Sequence, residues 1–201
     1  MRFAATFAVV LIAFAIAGCS SSKDREIKRI LDSPISYQSH LSPWANMDDY
    51  MTWNWVPIPE NIPIDPRARD PKVRAEIEKN VDKQMKVRGF LRTQSVPDLY
   101  INYHVARQNI DEDFIKKMYD GTYLPAYRME FQGPASARRE WKEGSVLVFL
   151  FDSKEERMVW QSSVTAEVTD GAPEQRSLER LDDAMKVMFT SLPGKPAWQT
   201  Q

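Results

Sequence analysis

The chain has 201 residues, with 27 Lys and Arg against 28 Asp and Glu, a formal net charge of −1, and 43% hydrophobic residues. A near-neutral chain of mixed charge has no electrostatic basis for binding nucleic acid or an anionic lipid surface. The hydrophobic content excludes wholesale disorder, and the length suits one domain with its own core.

The first 18 residues have the features of a bacterial lipoprotein signal peptide that is removed. Arg2 supplies a positive charge, and residues 3–16 form an apolar run that is too short to span a bilayer. The letters IAGC at positions 16–19 resemble a lipobox, in which the cysteine thiolate accepts a diacylglyceryl group. We therefore predict lipidation of Cys19, the chain's only cysteine. The alternatives are an ordinary signal peptide with a chance cysteine and a short anchor helix.

Lipidation would fix the location of the mature protein. One acyl chain holds a protein only marginally, whereas two or more hold it stably, since each buried methylene contributes about 0.8 kcal/mol. Ser20 follows the cysteine, and a resemblance to enterobacterial lipoproteins, where Asp at this place causes inner-membrane retention, implies sorting to the outer membrane. We expect the domain to face the periplasm. An acylated Cys19 leaves no intramolecular disulfide, so packing must supply the stability.

Residues 19–47 are predicted to be a tether ahead of a single domain at residues 48–196. Serines, charged residues and scattered prolines are typical of a linker. The spacing of Ile27, Ile30 and Leu31 fits a short amphipathic helix, but isolated helices of this length are marginal in water.

The first strand of the domain is predicted at residues 50–56, which favour β structure and end before Pro57. A helix follows, with Asp70 as N-cap, Pro71 at its first position and Gly89 just past its end. Apolar side chains recur every four residues and predict one buried face. They are Val73, Ile77, Val81 and Met85.

Three further strands are predicted. Residues 98–105 alternate apolar and polar side chains, and the strand–helix–strand order indicates a crossover unit, right-handed if the strands are parallel. Residues 146–151 are apolar on both faces, which is typical of a central strand. The charged turn at residues 152–156 then leads to a hairpin partner that starts at Met158.

The last element predicted is an amphipathic helix at residues 174–191, ended by Pro193 and Gly194. Two one-faced helices and at least four strands predict an α+β fold, a two-layer sandwich with a mixed, mostly antiparallel sheet and both helices on one face.

A long insertion at about residues 106–143 interrupts the predicted strands. Loops of this length rarely lack structure, so we expect it to be partly ordered or functional. A short helix ended by Gly121 and an extra strand at residues 127–131 fit its pattern. We predict that it matters less for folding than for binding an envelope partner. The predicted contact residues are Tyr119, Tyr123, Arg138, Arg139 and Trp141. In the alternative, Phe114, Met118 and Tyr127 complete the core.

Several short motifs follow one another along the chain: the strand at residues 50–55, Gly89-Phe90, Pro97-Asp98-Leu99, Glu143-Gly144-Ser145 and Val159-Trp160. Their order resembles the bacterial lipoprotein family known as domain of unknown function 4136. The resemblance spans about residues 50–193 and departs from the family at Gln161-Ser162, where members often have a glycine. The family has no established activity, so the resemblance implies envelope location and fold only.

The sequence offers little chemistry, and we predict no catalytic residue, metal site or cofactor. Of the two histidines, His40 lies in the tether and His104 lies on the polar face of a strand, typical of a surface or structural residue. Residues 111–113 are acidic but lack the alternating ligands and glycine of a hard-cation loop, so a solvated helix start explains them better.

Three function classes follow. A non-catalytic interaction or structural module of the envelope leads, followed by a binding protein for a small apolar or glycan ligand, and then by an unrecognised hydrolase. An internal cavity would favour the second class and a convergent polar cluster the third. Five aromatic residues are expected in the core and on the sheet, although some could line a groove. They are Trp53, Trp55, Tyr100, Tyr103 and Trp160.

Overall fold

The computed structural model describes residues 22–57, 71–106, 109–119, 140–141, 144–165 and 172–195. The helices are α1 (Ser22–Leu31), α2 (Pro71–Val87), α3 (Glu112–Tyr119) and α4 (Glu174–Phe189), with a short 3₁₀-helix at Met47–Asp49. The strands are β1 (Ser36–Leu41), β2 (Thr52–Trp55), β3 (Leu91–Arg92), β4 (Leu99–Ala106), β5 (Ile110–Asp111), β6 (Glu140–Trp141), β7 (Ser145–Asp152) and β8 (Met158–Thr165).

Six of these strands form one mixed sheet in the order β1-β8-β7-β4-β2-β3. The β1–β8, β8–β7 and β7–β4 pairs are antiparallel, whereas β2 is parallel to both β3 and β4. The predicted mixed, mostly antiparallel sheet is therefore confirmed. The two strands of the predicted crossover unit, β2 and β4, are parallel neighbours; the sequence had left their relative direction open.

Helices α2 and α4 pack against each other and cover one face of the sheet, here called the helix face. Ile77 and Val81 of α2 are fully buried, as are Met185 and Met188 of α4. The apolar residues of both helices recur at helical spacing, so each helix buries the stripe that the sequence predicted. The prediction of two helices on one face of the sheet is confirmed.

Gly89 ends α2, as predicted, because the backbone there adopts a conformation that favours glycine. Its φ is 83°. The Gly89 amide donates to the Lys86 carbonyl, and the Phe90 amide donates to the Met85 carbonyl, each at 3.0 Å. This pair of bonds is a Schellman motif, which satisfies carbonyls that the last turn leaves open. It also turns the chain so that buried Phe90 joins the core.

Asp98 ties the start of β4 to the start of β2. Its Oδ2 accepts hydrogen bonds from the amides of Met51 and Thr52 and from the Thr52 hydroxyl, each at 2.9 Å. Burial alone would raise the pKa of Asp98, but these three bonds outweigh it and hold the pKa below its usual value. The ionised carboxylate is therefore part of the fold.

The domain begins earlier than predicted, because strand β1 lies inside the segment assigned as tether at residues 19–47. It pairs with β8 from Ser36 to Leu41. Arg180 of α4 also donates hydrogen bonds to the carbonyls of Leu31 and Ser33, at 2.6 and 2.9 Å. β1 escaped prediction because an edge strand with four exposed residues carries no clear alternation of apolar side chains.

The described parts of the insertion, residues 109–119 and 140–141, pack on the second face of the sheet, here called the cavity face. Ile110, Ile115 and Trp141 are buried and cluster with the β7 side chains on this face, which include Phe149. Phe114 packs against the same cluster. These residues support the alternative in which the insertion completes the core. The predicted strand at 127–131 lies outside the described residues.

Candidate functional site

Of the five residues predicted to contact a partner, Trp141 alone has a side chain within the described part of the chain. Tyr123, Arg138 and Arg139 lie outside the described residues, as does Cys19. Tyr119 closes α3, but its side chain is also outside the description. Trp141 was predicted to be an exposed contact, and this is wrong: its side chain is 5% exposed, because it packs over the sheet.

A cavity of about 110 Å³ lies on the cavity face of the sheet, beside Trp141. Its floor consists of two cross-strand rows. His40, Gln161 and Phe149 are register partners on β1, β8 and β7. Directly opposed residues of antiparallel strands point to the same face, with Cβ atoms roughly 5 Å apart. The second row has the same three strands in the same order, with Gln38, Ser163 and Leu147.

The floor of the cavity is polar at one end and apolar at the other. Its edge-strand end carries His40, and its central strand carries Phe149. Gln161 lies between them and is 6% exposed. Two buried polar atoms here, His40 Nε2 and Gln161 Oε1, have no hydrogen-bond partner within the described residues. A buried polar atom without a partner is costly, so these two atoms mark the cavity as a place where another molecule could bind.

The lining of the cavity favours binding over catalysis. His40 is the one lining side chain that could act as a general base, and no Asp or Glu lies among the described lining residues to orient it. No group of three His, Cys, Asp or Glu residues suitable for a metal occurs in the described part of the chain. What the cavity offers is polar side chains of β1 and β8 at one end, including two unpartnered buried atoms, and apolar side chains at the other.

Sequence reasoning missed this site for two reasons. His40 was assigned to the tether, so its proximity to β8 was not foreseen. Gln161 was noted only as a departure from the family pattern. The signal was present in β8, where Gln161, Ser162 and Ser163 interrupt a strand whose other residues are mostly apolar, and all three are buried. A buried polar run in a strand needs partners, and that requirement points to a site.

The other residues considered for chemistry have structural roles. Of the two alternatives predicted for His104, a surface residue or a structural one, its 2% exposure supports the structural one. Its ring makes an edge contact with Phe114, with 6.3 Å between ring centroids. Asp111 accepts a hydrogen bond from the Phe114 amide at 2.8 Å, at the start of α3. The interpretation of the acidic residues 111–113 as a helix start is therefore confirmed.

The described helices include none that is both long and apolar enough to cross a membrane.

Comparisons with known proteins give the family. The chain is similar to a DUF4136 family protein from Bacteroides thetaiotaomicron, with 15% identity, a TM-score of 0.53, and coverage of 79% of this chain and 96% of that one. It also resembles a PDZ domain protein from Parabacteroides distasonis, with 14% identity, a TM-score of 0.44, and coverage of 81% and 37%. No curated protein matches. A family model described as Domain of unknown function (DUF4136) matches residues 37–194, so the chain belongs to this family.

Proposed function

We propose that this protein is a lipid-anchored module of the bacterial envelope that binds a protein partner and performs no chemistry itself. The sequence at Cys19 supports anchoring, for the reasons given above. The anchor would lie just ahead of α1, which starts at Ser22. The domain would then sit close to the outer membrane and face the periplasm.

The observation that carries the proposal is the open edge of the sheet at β1. This strand is six residues long, and four of them are exposed, including Tyr37 at 51%. Edge strands expose backbone donors and acceptors, and proteins usually blunt them with charges, proline, bulges or short length. Strand β1 contains no Lys, Arg, Asp, Glu or Pro, and its register with β8 has no bulge. The opposite edge, β3, has only two residues and carries Arg92.

The outward backbone groups of β1 can be identified. The Ser42 amide donates to the Val159 carbonyl at 2.8 Å. Because inward bonds alternate along an antiparallel strand, the amides of Tyr37, Ser39 and Leu41 face away from β8. Among the described residues no strand pairs with this edge, so these amides are available for strand addition, the mode in which a partner contributes an extended segment to a sheet edge.

A proline at position 39 tests this mode. Ser39→Pro removes one outward amide and keeps the inward bonds to β8, which is where proline is tolerated in sheets. Ser39→Ala is the matched control, because it keeps the amide. A photo-crosslinking residue at position 37 should capture an envelope protein in cells, and Ser39→Pro should abolish that adduct while Ser39→Ala preserves it.

Position 96 provides a second control, since Val96 is 82% exposed and lies in the loop before β4. A crosslinker there should give no such adduct. The proposal is overturned if position 37 captures nothing, if Ser39→Pro leaves the adduct unchanged, or if the adduct contains only a second copy of this chain.

A further inference from the structure

We infer that the cavity between β1, β8 and Trp141 binds a small neutral hydroxylated molecule, or the hydroxylated end of a longer one. This site is separate from the outward edge of β1 proposed to bind a partner. The inference starts from two buried atoms, His40 Nε2 and Gln161 Oε1, which belong to directly opposed residues of β1 and β8 and have no hydrogen-bond partner in the described chain.

The side chains of the cavity specify an uncharged ligand. His40 is the only titratable residue that lines it, and no Lys, Arg, Asp or Glu occurs in the described lining. With His40 neutral, a charged group entering here would lose hydration and find no counterion in the described lining, which is strongly unfavourable. Carboxylates, phosphates and amines are therefore poor ligands for this site.

The two unpartnered atoms specify the hydrogen-bonding groups of the ligand. Gln161 Oε1 accepts, so the ligand must donate to it. His40 Nε2 donates in one neutral tautomer and accepts in the other. A hydroxyl group donates one hydrogen bond and accepts others, so it can satisfy both residues whichever tautomer His40 adopts.

The size and walls of the cavity favour an organic ligand over water. An apolar cavity of ~150 Å³ holds benzene. The volume here, about 110 Å³, therefore suits a group of roughly four to six non-hydrogen atoms. Water filling the whole space would need several polar partners per molecule, yet Phe149, Leu147 and Trp141 give the inner end carbon surfaces. A short carbon chain bearing hydroxyls contacts both kinds of wall.

The cavity opens toward the edge strand. Gln38 and Ser39 line it and are exposed, whereas Phe149 at its inner end is 1% exposed. A ligand would enter from the side of β1 with its carbon end toward β7. A terminal hydroxymethyl group of a sugar would fit the same path as a free polyol such as glycerol.

Histidine NMR provides a direct test, because the chain has only two histidines. The full-length protein, with ring-labelled histidine, would be titrated in detergent with glycerol, glucose and 1-propanol. His104 is buried on the same face, on β4, which is three strands from β1 in the sheet, and serves as the internal control. Glycerol or glucose should shift the His40 signals saturably, with a Kd in the millimolar range, and leave those of His104 unchanged. 1-Propanol should bind more weakly.

The variant Gln161→Leu separates a ligand site from a structural role. It keeps the side-chain volume and removes the acceptor, so glycerol binding should weaken by about tenfold or more. Because it also removes a buried polar group without a partner, the melting temperature should stay level or rise. A structural role would instead lower the melting temperature. Tyr37→Ala, whose side chain lies on the other face of β1, should leave binding unchanged.

The titrations with glycerol and with glucose distinguish the source of the ligand. A response to glycerol alone indicates a free small polyol, and a response to glucose of equal or greater affinity indicates the end of a glycan. The inference is overturned if neither ligand shifts His40, if the shift persists in Gln161→Leu, or if 1-propanol binds as well as glycerol. Because this test needs no partner protein, its outcome is independent of the crosslinking at β1.

Discussion

The substitution Ile115→Ala tests whether the insertion belongs to the folded core. Ile115 lies on α3, is fully buried, and belongs to the cluster that covers the cavity face. If this layer were an accessory for partner binding alone, truncating Ile115 would change stability little. If it is core, the cost should match that of a buried isoleucine elsewhere in the domain.

The expected cost follows from the burial. Replacing isoleucine by alanine removes three carbon atoms, which at about 0.8 kcal/mol each amounts to roughly 2.4 kcal/mol of lost transfer free energy. The unfilled space adds to this, so a cost of about 3 kcal/mol is expected, within the range of ~2–5 kcal/mol measured for such changes. In a domain of this size, about 3 kcal/mol lowers the melting temperature by roughly 6–12 °C.

Thermal unfolding by circular dichroism is the assay, on the chain from residue 20 onward. Lys117→Ala is the matched control on the same helix, because Lys117 is exposed and its loss should change the free energy of unfolding by less than about 0.5 kcal/mol. Ile77→Ala provides the reference for the helix face, where Ile77 is also fully buried.

A single transition should shift by similar amounts in Ile115→Ala and Ile77→Ala. If Ile115→Ala resembles Lys117→Ala while Ile77→Ala is strongly destabilised, the insertion is not part of the cooperative core. The original expectation that the insertion matters little for folding would then stand.

Three further predictions concern the anchor, a partly buried carboxylate and the helix face. Cys19→Ser should abolish labelling by a radioactive fatty acid and leave unprocessed precursor, and labelling equal to wild type would contradict the lipobox. Asp98→Asn should lower the free energy of unfolding by about 1–2 kcal/mol at neutral pH. Because the folded pKa of Asp98 is lowered, its contribution is present above the unfolded pKa and is lost as pH falls, so denaturant titrations of the two proteins should converge below about pH 4. Ile77→Asp should lower the free energy of unfolding by more than about 4 kcal/mol. Glu78→Ala removes an exposed ion pair with Arg74 and should lower it by less than about 0.5 kcal/mol. Equal melting temperatures for the two variants would refute the assigned helix faces.

The elements that could be predicted from sequence are those with local signals. Pro71 and Gly89 delimit α2 because proline suits the first turn of a helix and glycine suits the left-handed residue that follows the last turn. The run at residues 146–151 marked the central strand because both of its faces are apolar, and all of its residues are buried. These features depend on neighbours within a few positions, so the chain itself displays them.

Contacts between distant parts of the chain decided the features that no local sequence pattern indicates. β1 is polar and mostly exposed, so its place beside β8 depends on backbone bonds to residues more than a hundred positions away. Contacts between residues distant in the sequence also determine which segment covers the cavity face. Trp141 has the same side chain whether it is exposed or buried, and packing against the sheet decided between the two.

The candidate site shows the same division. The sequence alone determined that β8 carries the polar run Gln161, Ser162 and Ser163 and that the chain has only two histidines. Only the tertiary structure brought His40 beside Gln161, because the register of β1 against β8 fixes which side chains share a face. A shift of one residue would turn His40 to the helix face, so the cavity depends on strand pairing that no local pattern specifies.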